Sequence, residues 1–325
     1  MTFSRREFLQ LASGAAAMPG LASRASAQAY PTRPVRIAVG LAPGGANDIF
    51  ARLIGQWLSE RLGQPFVIEN RPGGGGNIAT ESVVKSPPDG YTLLLAAGAN
   101  AINATLYEKL NFNFIRDIAP VGSIVRLPNL VIVNPDLPAT TLPELIAHAR
   151  ANSGKINIAS PGTGTTSHMA GELFNMMAGL NMVQIQYRGG APATTDVLAG
   201  RAQIMFIGPV ASIAHIMTGK LRALAVTTTA RWERFPDLPA VGEFIPGYEA
   251  SNWFGIAAPK GTPLEIVRTL NMEINRALAD PKIEARLAEL GGATLAGSPT
   301  DFGNIIAEET EKWGKVVKFA TIKPE

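Results

Sequence analysis

The chain has 325 residues, 46% hydrophobic and 17% charged, with 33 Gly and 24 Pro. That is enough apolar material for two packed domains cut by many tight turns, and it excludes a disordered chain. Cysteine is absent and His148, His168 and His215 are the only histidines, which excludes disulfide frameworks, thiolate metal sites and cysteine nucleophiles. The formal charge of +3 gathers at the start, where Arg5, Arg6 and Arg24 face Glu7; the remainder is close to neutral and has no basic run, so no nucleic-acid partner is expected.

Ser4-Arg5-Arg6-Glu7-Phe8-Leu9, a mildly apolar run over Leu11–Ala22, and Ala25-Ser26-Ala27 form the basic head, short middle and small-residue exit of an export signal. The paired arginines are similar to the twin-arginine type, which overlaps with the general secretory type. Cleavage is expected after Ala27. No later uncharged run is long and apolar enough to span a bilayer, so a soluble protein outside the cytoplasm is expected.

From Tyr30 the pattern alternates apolar runs with 3.6-residue periodicity. Val35–Leu41, Phe66–Glu69 and Tyr91–Ala96 read as strands, with helices at Asn47–Leu62 and Asn77–Lys85 between them. A second set of strands follows at Leu130–Val133, Ile156–Ala159, Val183–Gln186, Ile204–Ile207 and Ala223–Val226. Helices are expected there at Leu142–Ala151, Ser167–Ala178, Ala191–Ala199 and Val210–Met217. Beyond Trp253–Ala257 come helices at Pro263–Ala279, Pro281–Leu290 and Pro299–Val317. The order predicts an α/β protein of two lobes, each a mostly parallel sheet flanked by helices, joined by short crossings.

Ligands of such sheets bind where strands run into helices. Four small-residue loops occupy such places: Ala42–Asp48 with Gly44, Gly45, Asn47 and Asp48; Ala97–Asn103 with Asn100 and Asn103; Ser160–His168 with Gly162, Thr163, Thr165 and Thr166; and Tyr187–Pro192 with Arg188 and Gly189. Glycine admits close approach, and unpaired N–H groups at helix starts attract anions. Arg188 is the one cation among these loops, a combination that favours a carboxylate over a polyphosphate. Each loop is equally readable as a turn, and Asp48 as a brace for its own helix start. Gly73-Gly74-Gly75-Gly76 lacks dinucleotide-motif spacing and reads as a flexible helix entry. No nucleophile elbow, zinc motif or P-loop occurs; His168 and Glu172 stand one helical turn apart, the spacing of a local hydrogen bond or half of a metal site. Trp253 and Phe254 are open between flanking a ligand, core packing and a hinge role.

The blocks also occur in a specific order. Pro43-Gly44-Gly45 with Asp48, Glu69-Asn70-Arg71-Pro72-Gly73, Pro87-Pro88-Asp89-Gly90-Tyr91-Thr92, Gly162-Thr163-Gly164 with His168-Met169-Ala170-Gly171-Glu172, Tyr187-Arg188-Gly189-Gly190-Ala191-Pro192 and Trp253-Phe254-Gly255 together resemble the tripartite tricarboxylate transporter substrate-binding proteins, the Bug or TctC-like periplasmic receptors. The resemblance covers nearly all of the chain after the signal. It implies a two-lobed periplasmic-binding-protein (Venus flytrap) fold, with lobe 1 at residues 30–127 and 251–325 and lobe 2 at residues 128–250. It implies a monomeric receptor without cofactor, metal or catalysis, located in the periplasm. The receptor would hold a small organic carboxylate and hand it to a carrier of one large and one small membrane subunit. Carried over by position, the ligand residues are Gly44, Gly45, Asn47, Asp48, Asn100, Asn103, Gly162, Thr163, Thr165, Thr166, Arg188 and Gly189. Where several amino-acid-binding members place an aspartate for the ligand ammonium, this chain reads Ile207-Gly208-Pro209, which points to a ligand without an ammonium. A receptor feeding a membrane sensor and an exported hydrolase using His168 are the competing readings.

Overall fold

The computed structural model describes Tyr30–Pro324; the expected export signal at residues 1–27 lies outside the described residues. β1 (Val35–Val39) leads into α1 (Ala46–Leu62), β2 (Phe66–Asn70) into a 3-10 turn at Gly74–Gly76 and α2 (Asn77–Val84), and β3 (Thr92–Ala97) into α3 (Gly98–Leu106). One helical turn at Phe114–Asp117 precedes β4 (Ile118–Leu127). Next come β5 (Leu130–Val133), α4 (Leu142–Ala151), β6 (Asn157–Ser160), α5 (Thr166–Ala178), β7 (Val183–Gln186), α6 (Gly190–Leu198), β8 (Ile204–Ile207), α7 (Pro209–Met217) and β9 (Arg222–Val226). β10 (Asn252–Pro259), α8 (Leu264–Leu278), α9 (Pro281–Glu289), β11 (Ala293–Thr294) and α10 (Pro299–Ala320) follow.

The strands form two sheets, ordered β11-β4-β10-β3-β1-β2 and β7-β6-β8-β5-β9. In the first, β1 to β4 run one way while β10 and β11 oppose them. In the second, β5 alone is reversed. Most strands in each sheet thus share a direction, with a reversed strand inserted near the middle of each.

Local chemistry sets the element ends. Gly63, at φ 73°, stops α1 with its N–H on the Ser59 carbonyl. Thr141 and Glu144 form a capping box on α4, as Ser298 and Asp301 do on α10. Pro209, Pro281 and Pro299 occupy first-turn positions, where a missing N–H costs little. The glycine run before α2 opens that helix and also permits a close approach, since a Cβ on Gly40 would lie 2.7 Å from the Gly76 Cα.

Beyond the short helical turn at Phe114–Asp117 and the two-residue β11, which the sequence expectation lacks, two longer elements depart from it. Ala97–Asn103, expected as a loop, is mostly the first part of helix α3. Asn100 Oδ1 accepts the Ala97 N–H at 2.8 Å, and Ala101, Ile102 and Leu106 are fully buried, so capping and tertiary burial override the Gly- and Asn-rich composition. β4, which no periodicity announced, is a central strand buried along most of its length; a strand covered on both faces has no alternation to read. Its Pro120 sits opposite Ala257, beside a register shift, where a missing ladder donor is tolerated.

The chain passes between sheets at residues 127–130 and again between β9 and β10. These crossings are stitched together: the Asn129 N–H donates to Thr227 Oγ1 at 2.8 Å, Asn129 Nδ2 to the Ala250 carbonyl at 2.9 Å, and the Ala250 N–H to the Thr227 carbonyl at 2.9 Å. Arg126 and Lys312 both reach Glu249, at 3.2 and 2.7 Å. Lys312 lies on α10, which packs against α3 of the first lobe and α5 of the second. A single buried cluster accordingly runs through Ile102, Leu106, Met169, Phe174, Trp313 and Val316. Trp253 and Phe254 are wholly buried on β10, against Phe302 and Phe50, which places both rings in the core.

Candidate functional site

Parallel strands end at one edge of a sheet, so the helices that follow them start at that edge. α1, α2 and α3 start there after β1, β2 and β3, and α5, α6 and α7 after β6, β7 and β8. The two edges meet. A Cβ on Gly98, the first residue of α3, would lie 2.8 Å from Thr166 Cγ2 at the start of α5. A Cβ on Gly164 would lie 2.6 Å from Leu106 Cδ2 and 3.4 Å from Asn103 Oδ1. Helix N-termini carry partial positive charge and unpaired N–H groups. No acidic residue occupies the first turn of α3, α5, α6 or α7.

The expected residues divide by what their polar atoms already do. Gly44 and Gly45 are exposed, and a Cβ on either would meet nothing within 4 Å; Asn47 beside them is half-buried. Asp48 is buried beneath this loop. Its carboxylate accepts the Gly44 N–H at 3.0 Å and pairs with Arg52 at 2.9 Å. The Arg52 guanidinium holds the carboxyl below its usual range, with the Gly44 N–H assisting. Asp48 is therefore a brace for the loop.

Asn100 and Asn103 spend their amide donors inside the first lobe. Asn100 Nδ2 donates to Thr80 Oγ1 at 2.9 Å, and Asn103 Nδ2 to the Gly75 carbonyl at 2.8 Å and Asn77 Oδ1 at 3.2 Å. They fix the glycine turn and α3, a role that residue type alone did not distinguish from ligand contact.

The loop after β6 is wound on two glycines at positive φ, Gly162 at 142° and Gly164 at 74°. Thr165 Oγ1 donates to the Gly162 carbonyl at 2.8 Å and accepts the His168 N–H at 3.2 Å, capping α5. Thr163 is half-buried at the loop tip. Thr166 and Ser167 come next, 7% and 9% exposed. Neither their hydroxyls nor their backbone N–H groups find a partner among the described residues. His168 is buried behind them, its Nδ1 accepting the Gly164 N–H at 3.2 Å and its Nε2 facing Glu172 at 3.7 Å. The imidazole fastens the loop from below.

The loop after β7 lies alongside. The Gly189 N–H donates to the Pro161 carbonyl at 3.0 Å, and the Tyr187 hydroxyl to Asp196 Oδ2 at 2.8 Å. Arg188 is exposed, with no ion pair among the described residues. Ile207 ends β8, buried against Gly190, and no acid follows it. Sequence reasoning missed Ser167 as a candidate; its place one residue into a capped helix start, after Thr165 and Thr166, is the signal that marks it. The combined surface offers neutral donors, helix dipoles and one unpaired cation, which suits a compact anion.

The model of the tripartite tricarboxylate transporter family receptor matches residues 50–322. Protein BugT of Bordetella pertussis is 35% identical over 305 residues, 93% of this chain and 94% of that protein. Among solved structures, R. palustris Rpa4515 with adipate superposes with a TM-score of 0.82 at 38% identity, covering 91% of this chain and all of that one. MatC (Rpa3494) from Rhodopseudomonas palustris with bound malate gives 0.78 at 30% identity, covering 89% of this chain and all of that one.

Proposed function

The chain belongs to the tripartite tricarboxylate transporter receptor family, and from that premise we propose that it binds a small organic carboxylate between its lobes outside the cytoplasm and delivers it to the two membrane subunits of a carrier. It is a solute-binding receptor with the two-lobed periplasmic-binding-protein fold, and not an enzyme. The observation that carries the ligand class is the start of α5, where Thr166 and Ser167 hold nearly buried donors without partners among the described residues and the Thr166 side chain lies against Gly98 of the other lobe.

In this reading one ligand carboxylate sits on Thr163, Thr166 and Ser167 beside the Gly162 backbone, while Thr165 caps the helix start beneath it. Gly44, Gly45 and Asn47 close over the ligand from lobe 1. Arg188 and Gly189 meet a second acidic group, and Ile207 supplies an apolar wall. Asp48, Asn100 and Asn103 hold their loops in place. The lobes are residues 30–127 with 251–325 and residues 128–250, and residues 1–27 direct export by the twin-arginine route to the periplasm. The absence of an acid after β8 selects against an ammonium, and the structures of relatives with adipate and malate support a dicarboxylate.

A thermal-shift screen of the chain without residues 1–27 tests this. The panel is aliphatic dicarboxylates from malate to adipate, citrate, benzoate, glutamate and aspartate. A ligand at one hundred times its Kd stabilises the folded state by about 2.7 kcal/mol, roughly 5 °C for a chain of this size. A shift with dicarboxylates and none with glutamate or aspartate is expected; tight binding of either amino acid would overturn the ammonium argument.

A further inference from the structure

Trp253 is wholly buried, with its ring edge-on to Phe302 at 5.5 Å between centroids. Packing accounts for the ring but not for the indole N–H, which has no hydrogen-bond partner among the described residues. Buried indole N–H groups ordinarily find an acceptor. The position of this one is specific: the Cβ of a residue at Gly98 would lie 3.8 Å from Trp253 Nε1, 2.9 Å from Asn252 Oδ1 and 2.8 Å from Thr166 Cγ2. Asn252 Oδ1 already accepts the Trp253 backbone N–H at 3.0 Å. The starts of α3 and α5 therefore approach from opposite lobes, both free of first-turn acids, and an orphaned side-chain donor lies where they meet. Three sources of positive potential converge, and no acid in the first turn of either helix balances them.

We infer that Trp253 is a specificity-determining residue of the carboxylate site, its Nε1–H donating to an oxygen of the bound anion between the starts of α3 and α5. The inference rests on the carboxylate reading above. Its physical consequence is conditional on closure. With the lobes together and no acceptor, the N–H is stripped of water for nothing, which disfavours the empty closed form. A ligand oxygen supplies the acceptor in the closed form only. One atom thus opposes empty closure and favours liganded closure, the differential affinity on which a two-state receptor depends. A ligand presenting an N–H at this point is rejected, because donor would meet donor. Glycine at position 98 is explained as well, since any side chain there would collide with Thr166 and Asn252 and block the approach to Trp253 Nε1.

The test is the indole region of the ¹H–¹⁵N spectrum of the ¹⁵N-labelled chain without residues 1–27. Adipate is titrated in one series and malate in another, with binding measured in parallel by calorimetry. Four tryptophans give four indole signals, assigned by triple resonance so that no variant is required. At saturation the Trp253 proton is expected to move downfield and to become protected from exchange. Trp57, whose indole N–H is also unpartnered but lies on α1, serves as the stationary control. Trp253→Phe is expected to weaken adipate binding on the order of tenfold. Binding heat with a stationary Trp253 signal overturns the inference and leaves the carboxylate reading intact. No binding heat from either acid overturns both.

Discussion

Gly164→Ala separates the stability of the loop from the closure of the lobes. The residue has φ 74°, so an alanine there carries left-handed strain of about 1–2 kcal/mol whether the lobes are open or closed. Its Cβ would also lie 2.6 Å from Leu106 Cδ2, on a helix of the opposite lobe. Leu106 is 2% exposed, so shifting its Cδ2 to make room adds about 1–3 kcal/mol where the two lobes are held together. The first contribution lowers Tm by about 2–4 °C in the ligand-free chain. The second weakens ligand binding roughly 5- to 150-fold, because binding requires closure. The assay is a pair of measurements on one sample: Tm without ligand, then Kd for adipate by calorimetry. A large loss of Tm with an unchanged Kd would refute the reasoning, since it would mean that Gly164 and Leu106 remain in contact regardless of ligand.

Arg188→Gln should leave Tm unchanged within about 0.5 kcal/mol, because the side chain is exposed and unpaired among the described residues. It should weaken dicarboxylate binding and flatten its dependence on salt, both measurable by titration at two ionic strengths. Lys312→Met should destabilise the fold by about 2 kcal/mol in urea titrations. It leaves the Glu249 carboxylate to Arg126 and Ser251, and the Glu309 carboxylate to Trp313 Nε1, and the partly exposed lysine moderates the cost of a broken buried pair. Asp117 and Glu243 are drawn down to about 2 by the adjacent Arg116 and Arg231, and Asp48 is lowered by Arg52. Groups lowered on folding stabilise the native state fully above their unfolded values of 3.8 and 4.5, and that contribution is lost as pH falls through the folded values. The urea midpoint should therefore hold from pH 7 to about 5 and fall between about 4 and 2; a midpoint that declines above pH 5 would assign the loss to other groups.

The helices with a one-sided apolar stripe were legible in sequence, α1 and α4 among them, while the Thr141–Glu144 box that starts α4 emerged from the structure. β4 was illegible because it is buried on both faces and carries Pro120 and Gly122, so neither alternation nor composition marks it as a strand. α3 was hidden for the opposite reason: its glycine and asparagines look like a loop, and only contact with α10 and the internal amide bonds make it a helix. The Thr165–Ser167 helix start follows from a small-residue loop leading into a periodic stretch. The inward turn of Asn100 and Asn103 does not, because an asparagine that braces a loop and one that holds a ligand have the same sequence. The orphaned Trp253 N–H belongs to tertiary structure alone, arising where strands and helices far apart in the chain converge.

The most direct measurement of the central claim is calorimetric titration of adipate into the chain without residues 1–27, run beside the Thr166→Val/Ser167→Ala double variant. The account predicts saturable binding of one adipate per chain. The variant should lose at least tenfold in affinity while keeping its ligand-free Tm within about 2 °C, since the two hydroxyls it removes have no partners among the described residues. Equal affinity in both chains would contradict it, by showing that the anion is held somewhere other than at the start of α5.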